Sequence, residues 1–295
     1  MCTDWGCRAF LVTVGEVSDI LKAVLLGVVQ GLTEFLPVSS TGHLVITEKI
    51  LGVSRDEFGL RFDAAIHLGT LTAVIIYFRA TVFELTKSWL ASVRARRWDV
   101  TPPARLAWLL VIGTIPAGLA GIAIESTAED AFRSPALVAT MLILFCLPLM
   151  LAERIGKQDR DVDSARPLDA LLLGVAQSIA LVPGVSRSGI TISAAMFAGF
   201  KREQAAVFTF LLSAPIIAAA GGKQLFDIAR GDGGGGGLEN ELLVYGVGLI
   251  TAGIVGYAAI AFLVRFLRTN PLHLFVAYRI IFGATILGLV VTNVL

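Results

Sequence analysis

The stretch Ala23–Gly42, AVLLGVVQGLTEFLPVSSTG, returns 147 residues later as Ala170–Gly189, ALLLGVAQSIALVPGVSRSG. Without a gap, Leu25, Leu26, Gly27, Val28 and Gln30 fall on Leu172, Leu173, Gly174, Val175 and Gln177. Val38, Ser39 and Gly42 likewise fall on Val185, Ser186 and Gly189. Both copies are apolar runs interrupted by proline, glycine and a cluster of polar side chains. An offset of nearly half the chain, with the same interrupted segment in each half, is the mark of a membrane protein built from repeats. Its binding site is expected where the broken segments meet.

The surrounding composition fits. Of 295 residues, 56% are hydrophobic and 16% charged, and the mean hydropathy is +0.79. A soluble domain carries about 25% charged residues. The fold class is therefore an all-α polytopic membrane protein, read as a single membrane domain over 1–295. Repeat one covers about 18–150 and repeat two about 168–294. A net charge of +1 offers no basic face, so nucleic acid is not a partner. Cys2, Cys7 and Cys146 form no metal or redox pattern. The N-terminus lacks the layout of a cleavable signal peptide, so the first hydrophobic segment is expected to direct insertion.

A membrane-crossing helix needs about 20 mostly apolar residues. Such spans are expected at about 63–83, 105–124, 135–152, 204–222, 241–264 and 272–294. The regions 18–50 and 168–200 are long enough to enter the membrane but contain Pro37 and Pro183, which break the hydrogen-bond ladder. The expected architecture is two inverted repeats, with about eight full or partial spans plus two re-entrant broken helices. Loops are expected at Lys87–Arg105, Glu153–Pro167 and Asp227–Asn240. The first carries five basic residues against Asp99 alone, so it belongs on the cytoplasmic side. The region of Glu125, Glu129 and Asp130 should then be outside, while basic residues in the second half give no clean alternation.

The polar residues at membrane depth point to chemistry. Gln30 and Glu34, four apart, share a helical face. A carboxylate at the centre of a membrane helix costs on the order of 2.5–3.5 kcal/mol, which marks Glu34 as functional unless a structural partner ties it off. Gln30 and Gln177 serve either as interhelical glue or as site residues. After Pro37 come Ser39, Ser40, Thr41 and His43, hydroxyls and an imidazole beside the free N–H groups of a helix start. That suits an anion, and His43 beside Glu34 is a candidate proton carrier or nucleophile. In the second copy Arg187 stands in register with Ser40. Its planar fork fits phosphate, and Gly184 and Gly189 let backbone come close. A structural Arg187–Glu34 ion pair is the competing reading, although it leaves the accompanying hydroxyls and glycines unexplained. The residues thus describe a membrane-embedded oxyanion site, and a phosphate attached to a lipid fits it.

The string from Gln30 to His43, joined with Pro183 to Thr191, closely resembles the bacterial undecaprenyl-diphosphate phosphatase family, the bacitracin resistance proteins. The resemblance extends over roughly the whole chain. It implies hydrolysis of undecaprenyl diphosphate to the monophosphate and inorganic phosphate, recycling the lipid carrier for peptidoglycan synthesis. It also implies two inverted repeats in the plasma membrane, a site open to the outer face, and prenyl diphosphate and membrane lipid as partners. A homodimer is among the assemblies left open. By position, Glu34 matches the family's essential acid, His43 its essential histidine and Arg187 the arginine that grips the diphosphate. Ser40 is the hydroxyl expected as nucleophile, with the division of labour between Ser40 and His43 open. Ser39, Thr41, Gly184, Ser186, Ser188, Gly189 and Thr191 are the expected substrate contacts. Mg²⁺ or Ca²⁺ is expected at Glu34 and Gln30, although many members carry a second glutamate where this chain has Gln30, which disfavours two-carboxylate schemes. The competing class is a lipid-phosphate flippase or secondary transporter, which shares the architecture. A serine intramembrane protease is weaker still, because nothing recognises peptide.

Overall fold

The computed structural model describes residues 5–53, 55–124, 134–230 and 241–292. Among them every regular element is helical, apart from one isolated bridge between Arg160 and Phe200. In chain order the helices are α1 (Trp5–Phe35), α2 (Ser40–Leu51), α3 (Arg55–Tyr77), α4 (Arg79–Ala95), α5 (Pro102–Ile124) and α6 (Pro135–Leu144). There follow α7 (Cys146–Ile155), α8 (Pro167–Ile179), α9 (Arg187–Phe197), α10 (Arg202–Arg230), α11 (Glu241–Phe266) and α12 (His273–Val291). Their starts follow local chemistry. Thr101 Oγ1 accepts the Ala104 N–H ahead of α5, and Ser134 Oγ caps α6 with Pro135 at its first position. Pro167 opens α8, where Asp169 accepts the Arg166 N–H.

The surface does not follow the rules of a water-soluble protein. Phe83, Leu119, Ile122, Ile254 and Ile281 lie on the outside, whereas Gln30, Glu34, Asp169, Gln177 and Arg279 are buried. An apolar exterior, around an apolar core that also holds buried polar and charged groups, suits lipid, not water. Five helices or near-continuous helical stretches are long and apolar enough to cross a membrane: Pro102–Ile124, Pro135–Ile155, Arg202–Gln224, Glu241–Phe266 and His273–Val291. The chain is a multi-pass membrane protein.

Two expectations need correction. The span expected at 63–83 is bent by 85° between Arg61–Tyr77 and Arg79–Ala95, and only if that pair counts as one does a sixth span result. The loop expected at Lys87–Arg105 is largely helix, because α4 runs to Ala95 and α5 starts at Pro102. The reason is amphipathicity: the charged residues of α4 face out while Leu85, Trp89 and Ser92 pack inward, Ser92 Oγ accepting from Trp108 Nε1 at 2.9 Å. Most of the expected glycine-rich loop Asp227–Asn240 lies outside the described residues, and α10 extends to Arg230. The acidic region 125–130 also lies outside them.

Both interrupted regions are pairs of helices separated by a short turn, α1–α2 across 36–39 and α8–α9 across 180–186. Close packing of backbone holds them. A Cβ at Gly27 of α1 would stand 2.8 Å from the Gly248 carbonyl oxygen of α11, and one at Gly174 of α8 would stand 2.4 Å from that of Gly113 in α5. Side chains at these two matched positions are therefore excluded.

The loops bordering α5, α8, α10 and α12 meet on one face. Arg105 Nη2 donates to the carbonyls of Asp163 and Ala165. Arg202 grips Glu153, which also accepts the Leu272 N–H at 2.7 Å. Lys201 pairs with Asp161, and Arg268 with Glu203. The charges of the second half look mixed in sequence because Lys201, Arg202 and Arg268 each pair in space with an acid from another part of the chain.

Candidate active site

Serine does not favour a positive φ, yet Ser39 and Ser186 hold φ of 75° and 73° with ψ of 98° and 110°. Such backbone costs on the order of 1–3 kcal/mol and tends to mark functional sites. Here it turns each serine into the cap of the helix that follows. Ser39 Oγ accepts the Gly42 N–H at 3.4 Å, and Ser186 Oγ accepts the Gly189 N–H at 3.2 Å. Gly184, at φ 93°, completes the second turn and approaches within 2.4 Å, measured from its would-be Cβ, of the Val138 carbonyl oxygen.

The starts of α2 and α9 open into one cavity of about 290 Å³. Its polar wall includes Glu34, Ser39, Ser40, Thr41, Ser186 and Arg187, with Gly184 beside them. Two helix starts add backbone N–H groups and the positive ends of two dipoles. Ile216, Ile217 and Ala220 of α10 and Leu181 and Val182 of the second turn form apolar lining.

Glu34 is the hub. Its Oε2 accepts from Ser40 Oγ at 2.6 Å and from Gln30 Nε2 at 3.3 Å, and its Oε1 pairs with Arg187 Nη2. The Glu34 side chain is 4% exposed and that of Arg187 22%, so the arginine reaches into the cavity while the acid sits behind it. No other Arg187 donor has a partner among the described residues, which leaves most of the fork free. The ion pair that competed as a purely structural reading is thus present, inside the cavity and short of saturating the guanidinium.

His43 lies elsewhere. It does not line the cavity: Nδ1 donates to the Ser39 carbonyl at 2.7 Å, which leaves Nε2 to accept from the Tyr278 hydroxyl at 2.6 Å. Its ring stacks on Phe282 with centroids 4.3 Å apart. In this arrangement the imidazole braces the strained Ser39. Gln30, Ser188, Gly189 and Thr191 also lie outside the lining. Ser188 Oγ donates to the Leu36 carbonyl at 2.8 Å, tying the second helix start to the first turn, and Thr191 Oγ1 bonds back to Arg187 O at 2.6 Å.

Three residues escaped the sequence reading or were underweighted by it. His67 of α3 lines the cavity, its Nδ1 donating to the Asp63 carbonyl at 2.7 Å. The repeat does not flag it, since the matched position in the second half is Ala214; an ionisable ring inside the expected span 63–83 was the available signal. Gln177 lines the cavity as well. Arg279 is fully buried and spreads its guanidinium over the carbonyls of Pro37, Leu142, Gly184 and Val185 at 3.0–3.2 Å. It therefore clamps both turns at once. A cation in the middle of the span 272–294 was the available signal.

Among the described residues no three His, Cys, Asp or Glu side chains gather as a metal cluster. Glu34 is the one carboxylate of the cavity lining, and Gln30 has a buried Oε1 without a partner among the described residues. One carboxylate lines the cavity and the Gln30 oxygen lies buried behind it, outside the lining, so a divalent cation here would be held chiefly by phosphate oxygens, as Mg²⁺ commonly is.

A family model described as bacitracin resistance protein BacA matches residues 23–285. An undecaprenyl-diphosphatase of Rubrobacter xylanophilus is 43% identical over 272 residues, 92% of this chain and 98% of its own length. Undecaprenyl-diphosphatase 2 of Stutzerimonas stutzeri is 42% identical over 92% of this chain and 98% of its own. An undecaprenyl-diphosphatase of Mycolicibacterium smegmatis is 42% identical over 93% and 98%. With a family match over nearly the whole chain, and with relatives this similar from end to end, the protein belongs to the BacA bacitracin resistance family.

Proposed function

We propose that this protein hydrolyses undecaprenyl diphosphate to undecaprenyl phosphate and inorganic phosphate. The reaction recycles the lipid carrier for peptidoglycan synthesis and is the basis of bacitracin resistance. The observation that carries the site assignment is the Ser40–Glu34–Arg187 constellation in a cavity fed by two helix starts.

Glu34 Oε2 takes the Ser40 proton as Oγ attacks the terminal phosphorus. The bond from that phosphorus to the bridging oxygen breaks, undecaprenyl phosphate leaves, and Ser40 carries the phosphoryl group. Water then attacks the same phosphorus, the bond from Ser40 Oγ to phosphorus breaks as Glu34 returns its proton to Oγ, and inorganic phosphate departs with the water's oxygen. Arg187 and the backbone N–H groups of the α2 and α9 starts neutralise the phosphate oxygens, with Ser39, Thr41, Gly184 and Ser186 as further contacts. His43, with both ring nitrogens engaged, holds Ser39 in its cap; Ser188, Gly189 and Thr191 hold the second turn. A divalent cation, with Glu34 and the Gln30 amide oxygen as its protein ligands, would add charge neutralisation on the diphosphate.

The architecture we infer is two inverted repeats with about eight spans and two broken helices, forming one membrane domain. Matched Ser39 and Ser186 caps support it. So does reciprocal packing, since α1 of the first half lies on α11 of the second while α8 of the second lies on α5 of the first, through the matched Gly27 and Gly174. The basic loop face belongs in the cytoplasm of a bacterial plasma membrane by the positive-inside rule. From that face Ala117 lies roughly 22 Å along α5 and Gln224 roughly 33 Å along α10, at 1.5 Å per residue. The cavity therefore serves the outer side.

Purified protein incubated with undecaprenyl diphosphate, with and without chelator, tests the reading. Phosphate release is expected, reduced by the chelator, and a brief quench should trap phosphate on Ser40 by mass spectrometry. Lipid transfer without phosphate release would favour the flippase, and a phosphorylated His43 would reassign the nucleophile.

A further inference from the structure

The second copy of the repeated pattern keeps its glutamine and loses the acid. Gln177 stands in register with Gln30, but the position in register with Glu34 is Leu181. In the first copy Gln30 Nε2 is spent on Glu34. Gln177 has no such neighbour one turn on, and neither its Nε2 nor its Oε1 has a hydrogen-bond partner among the described residues. The residue is nevertheless only 3% exposed. A buried amide with both ends unsatisfied is strongly disfavoured in an apolar setting, and native proteins keep few of them.

The location resolves the conflict. Gln177 lies on the last full turn of α8, before the chain breaks at 180–186, and it lines the cavity that Glu34, Ser40 and Arg187 share. Around it that part of the wall is apolar, with Ala180, Leu181 and Val182 from the same segment. Both amide atoms are themselves buried, so a polar ligand that enters reaches them once the side chain turns into the cavity, where it offers two N–H donors and one oxygen from the α8 segment instead of from the two helix starts.

We propose that Gln177 is a substrate-contact residue, its Nε2 donating to a non-bridging oxygen of the prenyl diphosphate. This rests on the diphosphatase reading of the cavity. A neutral donor suits the position. It binds phosphate oxygen without adding a second fixed cation that would hold the product as tightly as the substrate, so the single charge of Arg187 can release it. The first copy uses its glutamine to hold the base; the second uses the same position to hold the substrate.

The test compares full-length wild type, Gln177→Leu and Gln177→Glu, purified in one detergent, by thermal unfolding and by phosphate release from undecaprenyl diphosphate. Leucine has similar bulk and removes the unsatisfied amide, so the unfolding temperature should hold or rise. The specificity constant kcat/KM should fall by about 10- to 100-fold, the value of one hydrogen bond to a charged group. Gln177→Glu keeps acceptors only and should fall at least as far. A lower unfolding temperature in Gln177→Leu would make the residue interhelical glue and overturn the assignment. So would wild-type kinetics in either variant, the Glu variant in particular showing that the position accepts instead of donating. Wild-type protein that releases no phosphate overturns the diphosphatase reading itself, and this role with it.

Discussion

Arg187 carries two jobs on one side chain that lines the cavity: Nη2 orients Glu34, and the remaining donors have no partner among the described residues. Lysine can do either but not both, because an ammonium on a flexible stem lacks the planar fork. Arg187→Lys should therefore insert and fold normally while kcat/KM for undecaprenyl diphosphate drops by roughly 100-fold, the loss of one to two charge-assisted bonds at about 1.5–3 kcal/mol each. Phosphate-release kinetics beside a thermal unfolding curve give both readings, and near-wild-type turnover would return Arg187 to a structural ion pair. At this scale the sequence was informative about residue types and less so about direction. Glu34, Ser40 and Arg187 were legible because a charge or hydroxyl cluster at membrane depth needs a reason. That His43 turns towards Tyr278 and Phe282 was not, since side-chain direction depends on α12, some 230 residues away in sequence.

Among elements, the two turns are the least self-sufficient parts of the fold, because a broken membrane helix leaves carbonyls with no water to serve them. Arg279 of α12 answers for Pro37 in one turn and for Gly184 and Val185 in the other, with Leu142 in addition. Among the described residues no carboxylate accompanies it, and these hydrogen bonds are all to backbone oxygens. Arg279→Met, similar in length, should destabilise the protein by about 3–5 kcal/mol, since it strands several buried acceptors at once. Arg279→Lys should recover little, as one ammonium cannot span both turns. Thermal unfolding in detergent measures this, and an unfolding temperature unchanged in Arg279→Met would show that the turns are held by Ser188 and His43 instead. The break positions themselves were readable from Pro37 and Pro183. The α4 helix was not, because a basic stretch reads as a loop until the inward-facing Leu85, Trp89 and Ser92 are seen to line up.

Across the whole molecule, the two halves exchange partners through α1 on α11 and α8 on α5, and each contact closes over a matched glycine. If the halves are true repeats, the same lesion at either glycine should have the same size. Gly27→Val and Gly174→Val each force a side chain into a neighbouring backbone and should each lower stability by a few kcal/mol, within about 1 kcal/mol of one another, as overpacking usually costs. A tolerated substitution at one site alone would argue against reciprocal packing.

The proposed placement in the membrane rests on the same halves. Loops that the sequence left unassigned join through Arg105, Lys201, Arg202 and Arg268 into a single basic face, while the cavity reaches Gln224 near the far end of α10. Only this geometry makes the charge signal usable, because Glu153, Asp161 and Glu203 mask it in a residue count. With Cys2, Cys7 and Cys146 replaced by serine or alanine, single cysteines at Lys157 and Gln224 can be probed in intact cells with a membrane-impermeant maleimide. Gln224→Cys should label from outside, and prior incubation with undecaprenyl diphosphate should slow the labelling, because the residue lines the cavity. Lys157→Cys should label only after the membrane is opened, because it lies on the basic face that the positive-inside rule assigns to the cytoplasm. The reverse pattern would put the cavity on the inner side and overturn the assignment of the basic face to the cytoplasm.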